Sequence, residues 1–466
     1  MKWQDIAKEA QNNVLQLIPD HWRLDVDQYK HLKDVTSVPY TCGLLTEAQL
    51  KITELTATEI VKQLRARQLK AVEVLEAFAG RTAITHQLIN CLTEWFYDEG
   101  LEQAKQLDEA FEKDGRLGGA LHGLPIGLKD IHSLKRHITT MAFVSGRNNV
   151  AEQDSAVVAA LRAEGAIFFC KTTMPQSAMA LETVSNLWGR TLNPFNRDLN
   201  AGGSSGGDAV LVAMKGTPLT PSTDLGGSIR VPAAFNGLYA LKPTAARIPK
   251  GGMPDLGQSL IQVSFGPVCH SIQDMELLTK TLGMRFDIYY QGGADATIGA
   301  LEASGEPLIP AFADLLKVFN VRKLSAAEIL PLSGKVRDYK EQFLAAWNKA
   351  SNNGRPMDAL ICPSAPGVGY PHDFNTYWGY TSLFNLIDYP AAILPVPGLK
   401  VSPESDPVNR EYMPLSTNPY DKPNHEIYDP ALYLNHPITI QVVGRPFEDE
   451  ELIQVSYNLD ALFRGA

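Results

Sequence analysis

The chain has 466 residues, 44% of them hydrophobic and 20% charged, which is enough apolar material for a substantial core. Its 42 lysines and arginines against 52 aspartates and glutamates give a formal net charge of −10, so nucleic acid and anionic membrane surfaces are not expected partners. No run reaches the ~18 apolar residues of a membrane-spanning helix, and the N-terminus MKWQDIAKEAQNNVLQLIPDHW lacks the apolar stretch of a signal peptide.

In chain order, the first part reads as helical. Thr56-x-x-Glu59 has the pattern of a capping box, and Ile60, Leu64, Val72, Leu75 and Phe78 follow at mostly helical intervals, with a break at Gln68-Leu69-Lys70. Leu101 to Phe111 reads as a further helix that ends toward Gly115. Leu124-Pro125-Ile126-Gly127-Leu128 is a short apolar run ending in Lys129-Asp130. Asp154 stands as the N-cap of a helix through Glu164, Gly165 as its stop, and Ala166 to Cys170 as a buried strand. Asp358 to Cys362, Ala391 to Val396 and Pro437 to Val443 are further strand candidates, and Asp449 to Phe463 is a closing amphipathic helix. Strands alternating with helices give an α/β architecture with a largely covered sheet. The five cysteines, Cys42, Cys91, Cys170, Cys269 and Cys362, form no CxxC pair and read as reduced, mostly buried thiols of a cytoplasmic protein.

The segment from Ala201 to Arg230 repeats Gly-Gly-Ser, at 202–204 and at 226–228. A flexible linker would have polar flanks, yet AVLVAM at 209–214 and IRVPAAF at 229–235 are apolar. A phosphate loop would tolerate no acid at its helix start, and here Asp208 follows Gly207. A serine nucleophile fits better. GxSxG is matched twice, but Asn193 to Asn200 is no buried strand, so the strand–turn–helix setting of that motif is missing. None of His270, His372, His425 and His436 is marked out as a partner base. A lysine can replace histidine if burial lowers its proton affinity. Lys129, closing the LPIGL run, is the candidate, against the plainer reading of a solvated strand-end lysine. His132 and His137 are five residues apart and offer no metal-ligand pattern, so neither metal nor organic cofactor is expected.

Taken together, Leu128-Lys129-Asp130, Gly202 to Gly207 (GGSSGG) and Asp224 to Pro232 (DLGGSIRVP) resemble the amidase signature family of serine hydrolases. HGLP at 122–125, KTTMPQS at 171–177, Asn193-Pro194 and GLYALKPT at 237–244 are similar to its connecting segments. IPDHW at 18–22, LTE at 45–47, GEPLIP at 305–310 and IQVVGR at 440–445 resemble its fungal acetamidase and general amidase subgroup.

The resemblance implies one domain over 1–466, with a helical N-terminal arm over about 1–55 and a signature core over about 120–270. It also implies a central mixed β-sheet covered by helices on both faces. It implies a Ser–cis-Ser–Lys triad in which Ser228 is the nucleophile, Ser204 the bridging serine after a cis Gly203–Ser204 bond, and Lys129 the base. The N–H groups from Leu225, Gly226 and Gly227 to Ser228 would meet the oxyanion, with Ser204 beside them. Ser205 would support the network, and Asp224 with Arg230 reads foremost as an ion pair that fixes the loop. Ala178 and Met179 are read either as acyl-pocket walls or as core. The implied reaction is hydrolysis of small or medium amides, with a small-molecule amide as partner and a homodimer as the oligomer considered.

Two departures stand out. Pro221-Ser222-Thr223 replaces a glycine-containing approach to the nucleophile loop, and the passage at 287–296 is short. The short passage motivates an alternative, a catalytically silent scaffold. An esterase or acyltransferase using the same acyl-enzyme is another.

Overall fold

The computed structural model describes residues 2–248, 250–254, 261–283, 305, 307, 326–352, 355–374, 377–415 and 420–465. The shortened passage at 287–296 lies outside the described residues.

The N-terminal part is helical. It opens with α1 (Trp3–Gln16), and α2 (Ala57–Arg65) starts at a reciprocal capping box between Thr56 and Glu59. After the break comes α3 (Ala71–Ile89), buried on nearly every side and therefore lacking a polar face. The fully buried Arg81 on α3 ties that N-terminal region down. Its guanidinium donates to the Met214 carbonyl at 2.7 Å and to Thr53 Oγ1 at 2.9 Å, and it lies over the Tyr40 ring.

Next come β1 (Leu92–Trp95), α4 (Tyr97–Asp114) with left-handed Gly115 as its stop, and β2 (Pro125–Lys129). Lys129 is the last residue of β2 and is fully buried. Helix α5 (Ala156–Ala163) and β3 (Ile167–Thr172) follow. Here the expected cap is corrected. Ser155 occupies the N-cap position without a side-chain capping bond. Asp154, one residue before that position, accepts the Lys135 amide at 2.8 Å and pairs with Arg162 at 2.7 Å, so both carboxylate oxygens are already engaged by a loop amide and a guanidinium.

The chain continues through α6 (Gly206–Ala213), β4 (Leu219–Asp224), α7 (Arg230–Phe235), β5 (Tyr239–Lys242), β6 (Ser264–Cys269) and α8 (Ile272–Gly283). It ends with β7 (Leu360–Cys362), α9 (Gly379–Leu386), β8 (Ala391–Lys400), β9 (Pro437–Val443) and α10 (Asp449–Phe463). Strand β7 starts two residues later than its apolar pattern suggests. Strand β8 runs four residues further, past its prolines, through a register shift that ends on the pair Lys400 and Pro437.

Among the described residues, six strands form an antiparallel sheet in the order β7-β9-β8-β5-β6-β4. Three form a second sheet, β1-β3-β2, with β2 and β3 parallel. Alternate residues show that the large sheet is covered twice. Tyr239, Leu241, Phe265, Ala392 and Leu394 pack in the core cluster that holds Leu278 of α8 and Leu452 of α10. Their neighbours Ala240, Val268 and Ile393 pack with Val212 of α6 and Phe235 of α7 on the other face. This is an α/β fold with a central sheet and helices on both sides. Strands β2 and β4 lie side by side where the sheets meet, with the Thr217 hydroxyl bonded to the Gly127 amide and the Pro125 carbonyl. That neighbourhood brings the ends of two strands, at Lys129 and Thr223, to one place. Among the described residues no helix is long and apolar enough to cross a membrane.

Candidate active site

Lys129 is surrounded by hydroxyls. Its Nζ donates to Ser204 Oγ at 2.7 Å, Thr223 Oγ1 at 2.8 Å and Ser205 Oγ at 2.9 Å. All four side chains are buried, Thr223 the least so at 3% exposure. Burial pulls the Lys129 amine down to about 8 from its ordinary 10.5, against the carboxylates of Asp208, Asp224 and Asp130, which pull it back up. Three hydroxyl partners suit either protonation state. An ammonium donates to all three, while a neutral amine donates to two and accepts from the third.

The serines sit at a bend that leads directly into α6, and the Gly203–Ser204 peptide bond is cis. Gly203 is required by contact: a Cβ there would stand 2.5 Å from the Ala180 carbonyl oxygen. Residues 180–182 therefore run against the serine bend, and Ala178 and Met179 immediately precede them. Ala178 is buried, Met179 half-buried, and both Ser177 and Ala178 have positive φ. The Pro307 carbonyl accepts from Asn186 at 2.6 Å and from Gln176, two residues before Ala178, at 3.4 Å.

Ser228 lies at the other end, between β4 and α7, and is 5% exposed where Lys129 and Ser204 are fully buried. Its carbonyl accepts the Ser205 N–H at 3.1 Å, so the two Gly-Gly-Ser loops are stitched together. Gly227 takes φ +133°, and a Cβ there would fall 2.4 Å from Thr381 Oγ1, so only glycine fits. The Thr381 hydroxyl in turn donates to the Gly226 carbonyl at 2.6 Å.

Asp224 and Arg230 form the expected ion pair. The guanidinium meets the carboxylate through Nε and Nη2, both at 3.0 Å, with both groups fully buried. Burial alone would raise the Asp224 carboxyl, but the Arg230 charge and hydrogen bonds hold it well below the usual carboxylate range. The same carboxylate accepts the N–H groups of Gly227 at 2.9 Å and Ile229 at 3.1 Å. The Gly227 amide is thus committed to Asp224.

The reading from sequence did not include Thr223 as a partner of Lys129, although it is adjacent to Asp224. It also missed Asn385 and Gln441, which complete the Arg230 shell at 2.5 and 2.8 Å. The candidate histidines do other work. His270 faces the Val212 carbonyl, His436 the Phe235 carbonyl, and His372 bridges Glu182 and the Arg197 carbonyl. His132 hydrogen-bonds the Pro221 carbonyl at 2.7 Å. Burial pushes the thiols of Cys91, Cys170 and Cys269 well up, away from reactivity.

Comparison with known proteins gives a consistent picture. The family model described as Amidase matches residues 73–287. An amidase of Gibberella zeae is 53% identical over the whole of both chains. That alignment runs over 545 positions against the 466 residues here, so the relative has stretches without a counterpart in this chain. An acetamidase of Emericella nidulans is 33% identical, with 99% of this chain and 98% of that protein covered. Among solved structures, a fatty acid amide hydrolase superposes with a TM-score of 0.90 at 26% identity, covering 100% of this chain and 95% of its own.

Proposed function

We propose, from the premise that this chain belongs to the amidase family, that it hydrolyses small or medium carboxylic acid amides through an acyl-enzyme on Ser228. The chain is an amide hydrolase by that membership; the relay and the substrate range are the proposal. The observation that carries it is the Lys129 nest: a fully buried amine whose partners are hydroxyls, two of them from the GGSSGG bend.

In the proposed cycle neutral Lys129 takes the Ser204 proton as Ser204 takes that of Ser228, whose hydroxyl turns onto Ser204 Oγ. Ser228 Oγ attacks the amide carbon, and the carbonyl oxygen becomes an oxyanion facing the Leu225, Gly226 and Ser228 amides. Collapse breaks the C–N bond, and the proton held by Lys129 returns through Ser204 to the leaving amine. Water then follows the same relay, adding to the acyl carbon and releasing the acid and Ser228. Ser205 and Thr223 hold the amine in place, and Asp224 with Arg230 fixes the loop. Ala178 and Met179 are proposed to line the acyl side. The free cysteines support a cytoplasmic setting.

The stretches that the Gibberella relative has in addition favour one competing reading, a silent amidase-like scaffold. Ammonia release from acetamide, longer aliphatic amides and benzamide separates the two, together with intact-mass analysis. Turnover with an adduct on the Ser228 peptide supports the hydrolase. No release from any amide, and no adduct, supports the scaffold.

A further inference from the structure

The relay leaves two residues without a task, Asp208 just after the glycine pair and Ser222 in the strand that approaches the nucleophile. The fold brings them together. Asp208 lies in the first turn of α6, fully buried. Its Oδ2 accepts the Ser222 hydroxyl at 2.6 Å and its Oδ1 accepts the Thr172 hydroxyl at 2.5 Å. Both donors adjoin the base. Thr172 is the register partner of Lys129 across the parallel β2–β3 pair. Ser222 immediately precedes Thr223, whose hydroxyl accepts from Lys129.

The charged and titratable groups facing Lys129 can be accounted for in turn. Asp224 on β4 is committed to Arg230. Asp130, next after β2, is held by the Thr140 hydroxyl and the Thr140 and Ala142 amides, and lies in the field of Lys171 on β3. His132 donates to the Pro221 carbonyl, and burial pulls its imidazole down to about 3, so it stays neutral. Cys170 on β3 faces Asp208, and burial keeps its thiol protonated. Asp208 remains, a buried carboxylate with two hydroxyl partners and, among the described residues, no ion pair of its own. Burial pushes it up to about 6, against the pull of the Lys129 charge and of Ser222 and Thr172.

We propose that Asp208 is a positioning residue for the base: held between Thr172 and Ser222, it keeps a negative charge at a fixed place beside Lys129 and thereby sets how acidic a medium the relay tolerates. This rests on the reading of Lys129 as the base. While ionised, Asp208 favours the ammonium form of Lys129; without that charge the amine releases its proton at lower pH. The serine that departs from the family pattern at 222 then has a physical role, since its hydroxyl stabilises an ionised carboxylate that makes no direct ion pair among the described residues.

The test needs no natural substrate. The rate at which a fluorophosphonate probe labels the protein is measured against pH in wild type, Asp208→Asn, Asp208→Glu and Ser222→Ala, with Ser228→Ala and Lys129→Arg as controls. Removing one nearby charge should move the acid limb of Asp208→Asn down by at least about half a pH unit. Asp208→Glu keeps the charge and should return the limb toward its wild-type position. Ser222→Ala, which weakens the carboxylate's hold on its charge, should shift the limb in the same direction as Asp208→Asn by less. A folded Asp208→Asn protein with an unmoved limb overturns the proposal. If that variant does not fold, an unmoved limb in Ser222→Ala overturns it. Labelling at wild-type rate in Lys129→Arg or Ser228→Ala would instead overturn the underlying relay, a result distinguishable from failure of the Asp208 variants.

Discussion

Two fully buried basic side chains, Arg230 and Lys129, sit close to the loop between β4 and α7. Arg230 meets a carboxylate through two bonds and is capped by Asn385 and Gln441. Among the described residues, Lys129 hydrogen-bonds only hydroxyls. The first arrangement locks charge, because removing either partner strands the other in a medium that cannot solvate it. The second leaves charge adjustable, because hydroxyls serve an amine and an ammonium equally well. On the proposed reading, the contrast separates scaffold from chemistry around a single loop. Depressed basicity by itself would not. Lys242 on β5 is also fully buried and also pulled down to about 8, by burial and then by the Arg230 charge. Its Nζ donates to the Pro243 carbonyl and lies 4.0 Å from Asp388, and among the described residues it makes no hydrogen bond to a serine.

The largest expected effect lies at Lys129. Lys129→Ala and Lys129→Arg should each lower kcat by about 10²–10⁴-fold, the usual contribution of a positioned acid–base group, while circular dichroism shows an unchanged fold. A folded variant of either kind with near-wild-type turnover would erase the contrast. Next comes Arg230→Met, which leaves Asp224 buried and unpaired. We expect a loss of about 3–5 kcal/mol in denaturant unfolding, and a loss under about 1 kcal/mol would place Arg230 outside the scaffold.

The pH response should split the same way. Lys129 is pulled down to about 8, so turnover should fall about tenfold per unit as pH drops below that value. Asp224 is held below its ordinary 3.8. The stability its charge contributes is therefore complete above about 3.8, and is lost only as pH falls through its folded value. Between pH 7 and pH 5, a rate profile should decline while circular dichroism stays flat; parallel loss of both would join the two regions into one. The smallest effect is expected at Lys242→Met, which should keep turnover within about tenfold, since the residue touches no reacting group.

Much of this contrast was legible in the sequence. Lys129 ends an apolar run, and the glycine-flanked serines announce close backbone contact, so their meeting could be anticipated. So could the Asp224–Arg230 pair, six residues apart in sequence. The capping box at Thr56 follows from local spacing. Asp154 did not, because its carboxylate chose Arg162 over a cap. The partners that close the Arg230 shell are 155 and 211 residues away, and no local pattern encodes such distances. Asp208 was legible only as an argument against phosphate, and Ser222 only as a departure. Their bond depends on β4 lying against α6, a fact of packing rather than of pattern. Strand β8 shows the same limit, since its prolines read as an end and the pairing continues beyond them.

The central claim is that Lys129 becomes a neutral amine in a range where ordinary lysines stay charged. The direct measurement is a pH titration of the protein with lysine ¹³C-labelled at Cε, with the Lys129 resonance identified by its absence in Lys129→Arg. The account predicts that this resonance titrates near 8, well apart from the exposed lysines. A midpoint at the ordinary 10.5 would make Lys129 a permanently charged residue and contradict the relay.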